Sequence, residues 1–235
     1  MKKIGFIGIG LMGLPMAKNL LKAKYELKVF NRTIKKAEPL KKFGAEISQS
    51  IKEVVSNNDI VITVLTDDTS VDQVMNDKDF LDNIKPGSTV IDMSSVKPET
   101  AKFHGENLKS KNVNYLDAPV SGGTIGAEEA TLAIMVGGEQ KVFNYNVDIL
   151  KAMGNPTLVG PLTSGQVSKL ANQMIVSLTI GAVAEAVTLC EKAGADPKKM
   201  IKALSGGWAD SKILQNHGHR MIDKDFTPKG RTSVH

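Results

Sequence analysis

Three glycines near the start of the chain have the spacing of a phosphate-binding turn. Gly8, Gly10 and Gly13 form a GxGxxG pattern between an apolar run that predicts a strand and a segment with helical spacing. In such a turn the first glycine permits a tight bend. The second lets the backbone approach a pyrophosphate, and the third lets helix and strand pack closely. A purely structural turn can show the same pattern, but this context favours a dinucleotide site that includes Ile9, Leu11 and Met12.

The end of the second predicted strand indicates which dinucleotide is bound. Residues 27–30 are followed by Asn31, Arg32 and Thr33, where an acidic residue would bind the ribose 2′-hydroxyl of NAD. No acid stands here. The guanidinium of Arg32 can pair with a 2′-phosphate, while Asn31 and Thr33 can add hydrogen bonds. Arg32 could instead be an ordinary surface charge, but the pattern favours NADP as the preferred cofactor, with NAD as the alternative.

Two further groups of residues could bind and transform a small anion. Ser121, Gly122 and Gly123 follow a predicted strand and could present successive N–H groups to a carboxylate, although a flexible turn would look the same. Lys169, Asn172 and Gln173 stand at positions i, i+3 and i+4 of a predicted helix and share one face. A desolvated lysine there could act as a general acid or base. A solvated surface lysine is the alternative, and the spacing does not decide between them.

Alternating strands and helices predict the architecture that positions these residues. Alternation of this kind predicts a doubly wound, mostly parallel sheet with helices on both faces, an α/β fold of the Rossmann type. Strands are predicted at 4–8, 27–30, 60–65, 90–93, 113–116, 132–136 and 157–159, and helices at 11–23, 33–43 and 139–153.

After residue 160 the pattern becomes helical only. One long helix is predicted over 164–193, ending at Gly194, and two shorter helices over 198–204 and 211–222. The long helix has apolar positions on most sides and therefore needs partners on more than one face. The sequence predicts a dinucleotide-binding domain over 1–160 and an all-α domain over 161–235.

Composition narrows the functional classes. The chain has 235 residues and a formal net charge of +5. The lysines are scattered and aromatic residues are few, which argues against nucleic-acid binding. The single cysteine, Cys190, excludes a disulfide framework and a multi-cysteine metal site. His217 and His219 lack further ligands, so no metal is predicted. The N-terminal apolar run is too short for a signal peptide, and no segment approaches the length of a transmembrane helix, so we expect a cytoplasmic protein with no membrane partner.

Four motifs stand in order along the chain: Gly8–Leu20, Asp92–Ser95, Asp117–Gly123 and Gly160–Asn172. Together they make the sequence resemble the β-hydroxyacid dehydrogenase family. This family has a 6-phosphogluconate dehydrogenase-like fold and includes 3-hydroxyisobutyrate dehydrogenases, tartronate semialdehyde reductases and glyoxylate/succinic semialdehyde reductases.

The resemblance implies roles for individual residues. Lys169 would be the catalytic acid/base. Ser121, Gly122 and Gly123 would hold the substrate carboxylate, with Asn172 or Gln173 anchoring the substrate. Leu65, Thr66 and Ser95 would line the cofactor cleft. The implied activity is hydride transfer between NADP(H) and a small β-hydroxyacid or its semialdehyde, in a homodimer or homotetramer assembled through the helical domain.

The sequence departs from the family pattern in several places. Thr66 stands where the family often has proline, Thr163 replaces a glycine, and Gln173 stands where many members have asparagine. Family members also continue beyond the region that Phe226–His235 enters, so the helical domain is expected to be C-terminally truncated. A truncated, non-catalytic NADP-binding or scaffold protein is therefore the main alternative. An imine reductase is a second one, against which Lys169 argues.

Overall fold

The computed structural model describes residues 2–227, and the chain divides into two compact units, residues 1–169 and 170–235. The division lies inside one long helix. It falls later than the change of sequence pattern near residue 160, because the first turns of that helix are hydrogen-bonded to the end of the sheet in the first unit. The predicted features of residues 228–235 lie outside the described residues.

A mostly parallel sheet forms the centre of the first unit, which confirms the predicted α/β fold. Its strands are β1 (Lys3–Ile7), β2 (Glu26–Phe30), β3 (Glu46–Ile47), β4 (Ile60–Thr63), β5 (Thr89–Asp92), β6 (Asn114–Asp117), β7 (Val120–Ser121), β8 (Leu132–Gly137) and β9 (Gly154–Gly160). They lie in the order β3-β2-β1-β4-β5-β6-β8-β7, with β9 beside β8. The strand order reverses between β1 and β4, and α/β proteins bind ligands at such a point, beyond the carboxyl ends of the strands.

Parallel pairing brings the predicted cofactor residues to one edge of the sheet. Ile7 pairs with Phe30 on one side and with Thr63 on the other, and Thr63 in turn pairs with Asp92. The segments that follow β1, β2, β4 and β5 therefore leave the sheet at the same end. Only the far side departs from this pattern, where β8 is antiparallel to β6 and β7 but parallel to β9.

Helices cover both faces of this sheet. They are α1 (Gly13–Lys22), α2 (Ile51–Val55), α3 (Asp68–Met75), α4 (Lys78–Asn83), α5 (Pro98–Ser110), α6 (Gly123–Glu128), α7 (Gln140–Lys151) and the beginning of α8 (Ser164–Lys192). Alternate residues of one strand pack into different apolar clusters, one on each face of the sheet. Ile60 and Ile62 belong to one apolar cluster, whereas Val61 between them belongs to a second cluster. A strand that is buried on both faces reads as a continuous apolar run, as residues 60–62 do.

Two predicted helices differ from the structure. Residues 33–43 form two short 3₁₀ segments, Ile34–Lys36 and Glu38–Phe43, in place of one α-helix. Pro39 provides the reason, because proline donates no backbone hydrogen bond and disfavours the α conformation of the residue before it. The helix predicted over 211–222 contains a π-helical turn at Leu214–Gly218, followed by α10 (His219–Ile222).

Helix α8 is long and apolar enough to contradict the prediction that no segment approaches the length of a transmembrane helix. It has 29 residues, and its most apolar window of 18 residues has a mean hydropathy of 1.6. By length and composition alone it could cross a membrane, so the statement that no segment approaches that length is wrong. It is the one such helix among residues 2–227, and 11% of that window is buried.

The second unit is a small helical assembly. Helix α9 (Pro197–Leu204) begins at Asp196, whose side chain accepts hydrogen bonds from the N–H groups of Lys198 and Lys199. Its core contains Val183, Val187, Ile201 and Leu214. The predicted all-α character of this region is confirmed.

Candidate active site

The glycine turn has the geometry that its sequence pattern predicts. Gly8 has a φ of +104°, and a Cβ atom on it would overlap the backbone of Val64. A Cβ on Gly13 would overlap the carbonyl oxygen of Gly8, so this glycine lets α1 pack against the turn. A Cβ on Gly10 would have no heavy atom within 4 Å. The turn is therefore tight at its first and third glycines and open at the second, which fits the approach of a pyrophosphate to the exposed N-terminus of α1.

The side chain of Asn31 forms hydrogen bonds within the glycine turn and at the end of β2. Its Oδ1 accepts a hydrogen bond of 2.9 Å from the N–H of Ile9, and its Nδ2 donates one of 2.9 Å to the carbonyl oxygen of Thr33. The side chain thus ties the end of β2 to the glycine turn. The sequence predicts that Asn31 adds a hydrogen bond to a 2′-phosphate beside Arg32, but these contacts identify it first as a residue that shapes the turn.

Arg32 and Thr33 are exposed beside this turn. Among residues 2–227, Arg32 forms no ion pair, so its guanidinium is available to a ligand. Lys35 and Lys36 lie in the 3₁₀ segment that follows it. The end of β2 therefore carries a local positive charge, which favours an anionic group on the bound molecule.

The predicted lining residues of the cofactor cleft follow β4 and β5. The N–H of Leu65 donates a hydrogen bond of 2.9 Å to Ser94 Oγ, which joins the two strand ends. Thr66 is exposed and Ser95 is half-buried.

A cleft of about 770 Å³ extends from the glycine turn to α6. Ile9, Gly10 and Leu11 line one part of it, and Thr124 of α6 lines another. The Nδ2 atom of Asn19 on α1 donates a hydrogen bond of 2.7 Å to the carbonyl oxygen of Ala127 on α6. The first unit therefore brings the predicted cofactor turn close to the segment that the sequence predicts to bind substrate.

Ser121, Gly122 and Gly123 connect β7 to α6. Gly122 and Gly123 are exposed and have φ values of +140° and +63°, a conformation that glycine adopts without strain. They stand at the beginning of α6, where successive backbone amides of a turn can bind a carboxylate.

Lys169 lies on α8, in the part of the helix that belongs to the first unit. Burial of its side chain lowers the pKa of its ammonium group below the ordinary lysine value. One turn earlier, Gln166 is almost completely buried. Its Nε2 donates to the carbonyl oxygen of Ser94 at 2.9 Å, and its Oε1 accepts from the N–H of Val96 at 3.2 Å. Lys169 therefore follows a turn that is fixed to the end of β5.

Asn172 and Gln173 lie further along α8, in the second unit. The Nδ2 atom of Asn172 donates a hydrogen bond of 2.8 Å to Oε1 of Gln173. Their predicted contact with substrate stays a prediction.

Asp92 and Asp117 are buried carboxylates that belong to the sequence motifs, but the sequence predicts no role for either. Asp92 ends β5 and accepts hydrogen bonds from Thr63 Oγ1 at 2.8 Å and from the hydroxyl of Tyr115 at 3.3 Å. Burial raises its pKa. Asp117 ends the neighbouring strand β6, and burial raises its pKa to about 6, with the nearby charge of Asp92 adding to the shift. An acidic residue that directly ends an apolar strand is the sequence signal that indicates both carboxylates.

The described residues offer no metal centre. Over residues 2–227, no three His, Cys, Asp or Glu side chains lie close enough together to hold a metal ion.

Two family models together match almost the whole chain. Residues 3–160 match the NAD binding domain of 6-phosphogluconate dehydrogenase, and residues 163–235 match the NAD-binding region of NADP-dependent 3-hydroxyisobutyrate dehydrogenase. This chain belongs to the β-hydroxyacid dehydrogenase family. The resemblance seen in its motifs is thereby confirmed.

Similar proteins agree with this placement. The 2-hydroxy-3-oxopropionate reductase of Escherichia coli (strain K12) is 42% identical over 236 residues, which cover 99% of this chain and 80% of that protein. The structure of Mycobacterium tuberculosis 3-hydroxyisobutyrate dehydrogenase with L-serine has a TM-score of 0.89 at 29% identity, covering 100% of this chain and 82% of that one. A 3-hydroxyisobutyrate dehydrogenase from Salmonella typhimurium has a TM-score of 0.87 at 26% identity, with coverages of 100% and 83%.

The chain is therefore an NAD(P)-dependent hydroxyacid dehydrogenase that acts on small substrates. Its glycine turn fits the expected cofactor, since Gly10 leaves open the space that a side chain would fill. The individual roles of the predicted substrate and catalytic residues remain predictions.

One departure of this dehydrogenase from its family pattern has a measurable cost. Thr163 has a φ of +81°, which is unusual for a β-branched residue. We expect Thr163→Gly to raise the free energy of unfolding by about 1 kcal/mol. Relief of one to a few kcal/mol of backbone strain is partly offset by the greater freedom of glycine in the unfolded chain.

Urea unfolding measures this effect. Asn112→Gly is the matched control, because Asn112 has a φ of +60° and asparagine tolerates that conformation. The free energy of unfolding of the Asn112→Gly variant should change by no more than a few tenths of a kcal/mol. An equal gain in both variants, or a loss at Thr163, would show that Thr163 is not strained.

Proposed function

We propose that this dehydrogenase uses NADP(H) in preference to NAD(H) and interconverts a small β-hydroxyacid and its semialdehyde, with Lys169 as the acid/base. The candidate substrates are tartronate semialdehyde, succinic semialdehyde, glyoxylate and 3-hydroxyisobutyrate. The observation that carries the proposal is the burial of Lys169, which lowers the pKa of its ammonium group. A lowered pKa brings a lysine closer to the range in which it can both donate and accept a proton.

The protein's part in the reaction is to bind, to orient and to move a proton. The bound dinucleotide supplies or accepts the hydride. In reduction, the Lys169 ammonium donates its proton to the carbonyl oxygen of the substrate. In oxidation, the neutral amine accepts the proton of the hydroxyl group. The backbone N–H groups of Ser121, Gly122 and Gly123 bind the substrate carboxylate, as successive backbone amides in such turns commonly do.

The NADP preference is supported by the charge at the end of β2. Arg32 is exposed, and Lys35 and Lys36 follow it closely. A guanidinium forms strong paired hydrogen bonds with phosphate, and no acidic residue occupies the place that binds a free ribose hydroxyl in NAD enzymes.

Steady-state kinetics test the proposal. We would measure NADPH and NADH oxidation with tartronate semialdehyde, succinic semialdehyde and glyoxylate. We expect turnover with at least one of them and a higher kcat/KM for NADPH than for NADH. Binding of NADPH without turnover of any of these substrates would instead indicate a non-catalytic dinucleotide-binding protein.

We further propose that the enzyme forms a homodimer or homotetramer through its helical unit. Met174, Ile175, Leu178 and Leu189 of α8 each expose more than three-fifths of their surface in the isolated chain. Large apolar side chains concentrated on one element favour association. Light scattering of the purified chain should give a mass of at least two copies, and a monomer at micromolar concentration would count against this part of the proposal.

A further inference from the structure

The carboxylate of Asp117 caps the beginning of the helix that carries Lys169. Its Oδ1 accepts a hydrogen bond of 2.9 Å from the N–H of Thr163, and its Oδ2 accepts one of 2.9 Å from the N–H of Gln166. The first N–H groups of a helix have no partner within the helix. Here a side chain from the end of strand β6 provides partners for two N–H groups at the beginning of α8.

The packing around Asp117 leaves little space for movement. A Cβ on Gly165 would lie 2.8 Å from Oδ2 of Asp117, and a Cβ on Gly137 of β8 would overlap Oδ1. The carboxylate is thus enclosed between β8 and the first turn of α8. The Thr163 N–H that it binds belongs to the residue with the strained φ of +81°, so Asp117 also holds that conformation in place.

The same turn is fixed to a second strand through Gln166. Its buried amide bonds to Ser94 and Val96, beyond the end of β5. Lys169 stands three residues after Gln166, so the two side chains share a face of α8. The direction of the lysine side chain therefore depends on how this one turn is held.

A purely stabilising role for the Asp117 charge does not agree with its electrostatics. Burial and the neighbouring Asp92 raise the pKa of Asp117 to about 6 in the folded chain, above its ordinary value of 3.8. Any stability gained from this shift is fully present below pH 3.8 and is lost as the pH rises through about 6. Above about pH 6 the carboxylate is mainly ionised, and the fold then bears the cost of burying its charge.

We propose that Asp117 is a positioning residue for Lys169: by holding the first turn of α8 against the ends of β6 and β8, it fixes where the lysine ammonium is presented. This inference rests on the proposed acid/base role of Lys169. Misplacement of a reacting group by about 1 Å can cost about 100-fold in rate, so loosening this turn should reduce turnover even when the fold is intact.

The variant Asp117→Asn tests the inference, because it keeps the shape of the side chain and removes its charge. The asparagine side chain has one acceptor oxygen, so it cannot accept hydrogen bonds at both positions as the carboxylate does, and the turn loosens. We expect kcat to fall by about 10- to 100-fold, while the Kd for NADPH and the Tm change little. Asp77→Asn is the matched control, since Asp77 caps α4 through the N–H of Asp79, and it should leave kcat unchanged.

A second measurement does not depend on turnover. Trace acetylation with peptide mass spectrometry, repeated over a range of pH, gives the pKa of Lys169. In Asp117→Asn we expect this pKa to rise towards the ordinary lysine value, because a loosened turn exposes the ammonium group to solvent. In Asp77→Asn it should stay as in the unmodified chain. If Asp117→Asn does not fold, Asp117→Ser replaces it, since the smaller side chain crowds neither Gly137 nor Gly165.

The outcomes separate this inference from the proposed function. An unchanged kcat together with an unchanged Lys169 pKa in the Asp117 variant would overturn the positioning role. A fall in kcat that matches a large fall in Tm, with the Lys169 pKa unaltered, would also overturn it in favour of a structural role. Full turnover of Lys169→Ala would instead reject the lysine as acid/base, whatever Asp117 does.

Discussion

Replacing Lys169 with alanine should lower kcat by about 10²- to 10⁴-fold, the range that a positioned general acid or base contributes. The side chain is the partly buried lysine of α8, and its pKa is lowered by that burial. Binding of NADPH should change little, because the glycine turn and the end of β2 that bind it remain intact. Steady-state kinetics measure kcat, and fluorescence titration measures the Kd for NADPH.

Lys192→Ala is the matched control for this substitution. Lys192 is an exposed lysine in the last turn of the same helix, so its removal should leave kcat unchanged. Turnover of Lys169→Ala close to that of the unmodified chain would mean that another group moves the proton.

The direction of the pKa shift also predicts how the rate depends on pH. Reduction needs the charged ammonium of Lys169, so its rate should fall as the pH rises through the lysine pKa. Oxidation needs the neutral amine, so its rate should rise over the same interval. Because burial lowers this pKa, both changes should occur below the ordinary lysine value of 10.5.

Replacing Arg32 with alanine should weaken the binding of NADPH by about 10- to 100-fold, which corresponds to the loss of about 1.5–3 kcal/mol for hydrogen bonds to a charged group. Arg32 is exposed at the end of β2. NADH lacks the 2′-phosphate, so its Kd should change by less than about two-fold. Parallel titrations of both dinucleotides measure the difference.

Arg32→Lys provides the control, because it keeps the charge but loses the paired geometry of the guanidinium. Its effect on NADPH should lie between those of the unmodified chain and the alanine variant. Equal weakening of NADPH and NADH by Arg32→Ala would indicate that the residue supports the turn and does not select the phosphate.

Periodicity and glycine spacing predicted the sheet and the cofactor turn well, because both depend on local sequence. Residues 60–63 are buried on both faces and begin with an apolar run of three, and Gly8 occupies a position that a side chain cannot. The 3₁₀ segments around Pro39 differ from the predicted helix because the apolar spacing of 33–43 is helical, whereas proline restricts the backbone there.

The contacts that position the lysine could not be predicted from local pattern. Asp117 and Gln166 are far apart in the sequence, and their hydrogen bonds arise only when β5, β6 and α8 come together. The role of Asn31 in shaping the glycine turn likewise depends on the pairing of β1 with β2. Burial of Lys169 is also a tertiary effect, so its spacing from Asn172 did not decide between a solvated and a reactive lysine.

The most direct test of the central claim is to follow the transferred hydride. The 235-residue chain would be incubated with tartronate semialdehyde and NADPH that carries deuterium at C4 of the nicotinamide, using each of the two C4 stereoisomers in turn. We predict that one isomer alone labels the hydroxyacid product with a single deuterium, detected by mass spectrometry, and that Lys169→Ala forms little labelled product. Product that is unlabelled with both isomers, or no product with any small semialdehyde while NADPH still binds, would contradict the account.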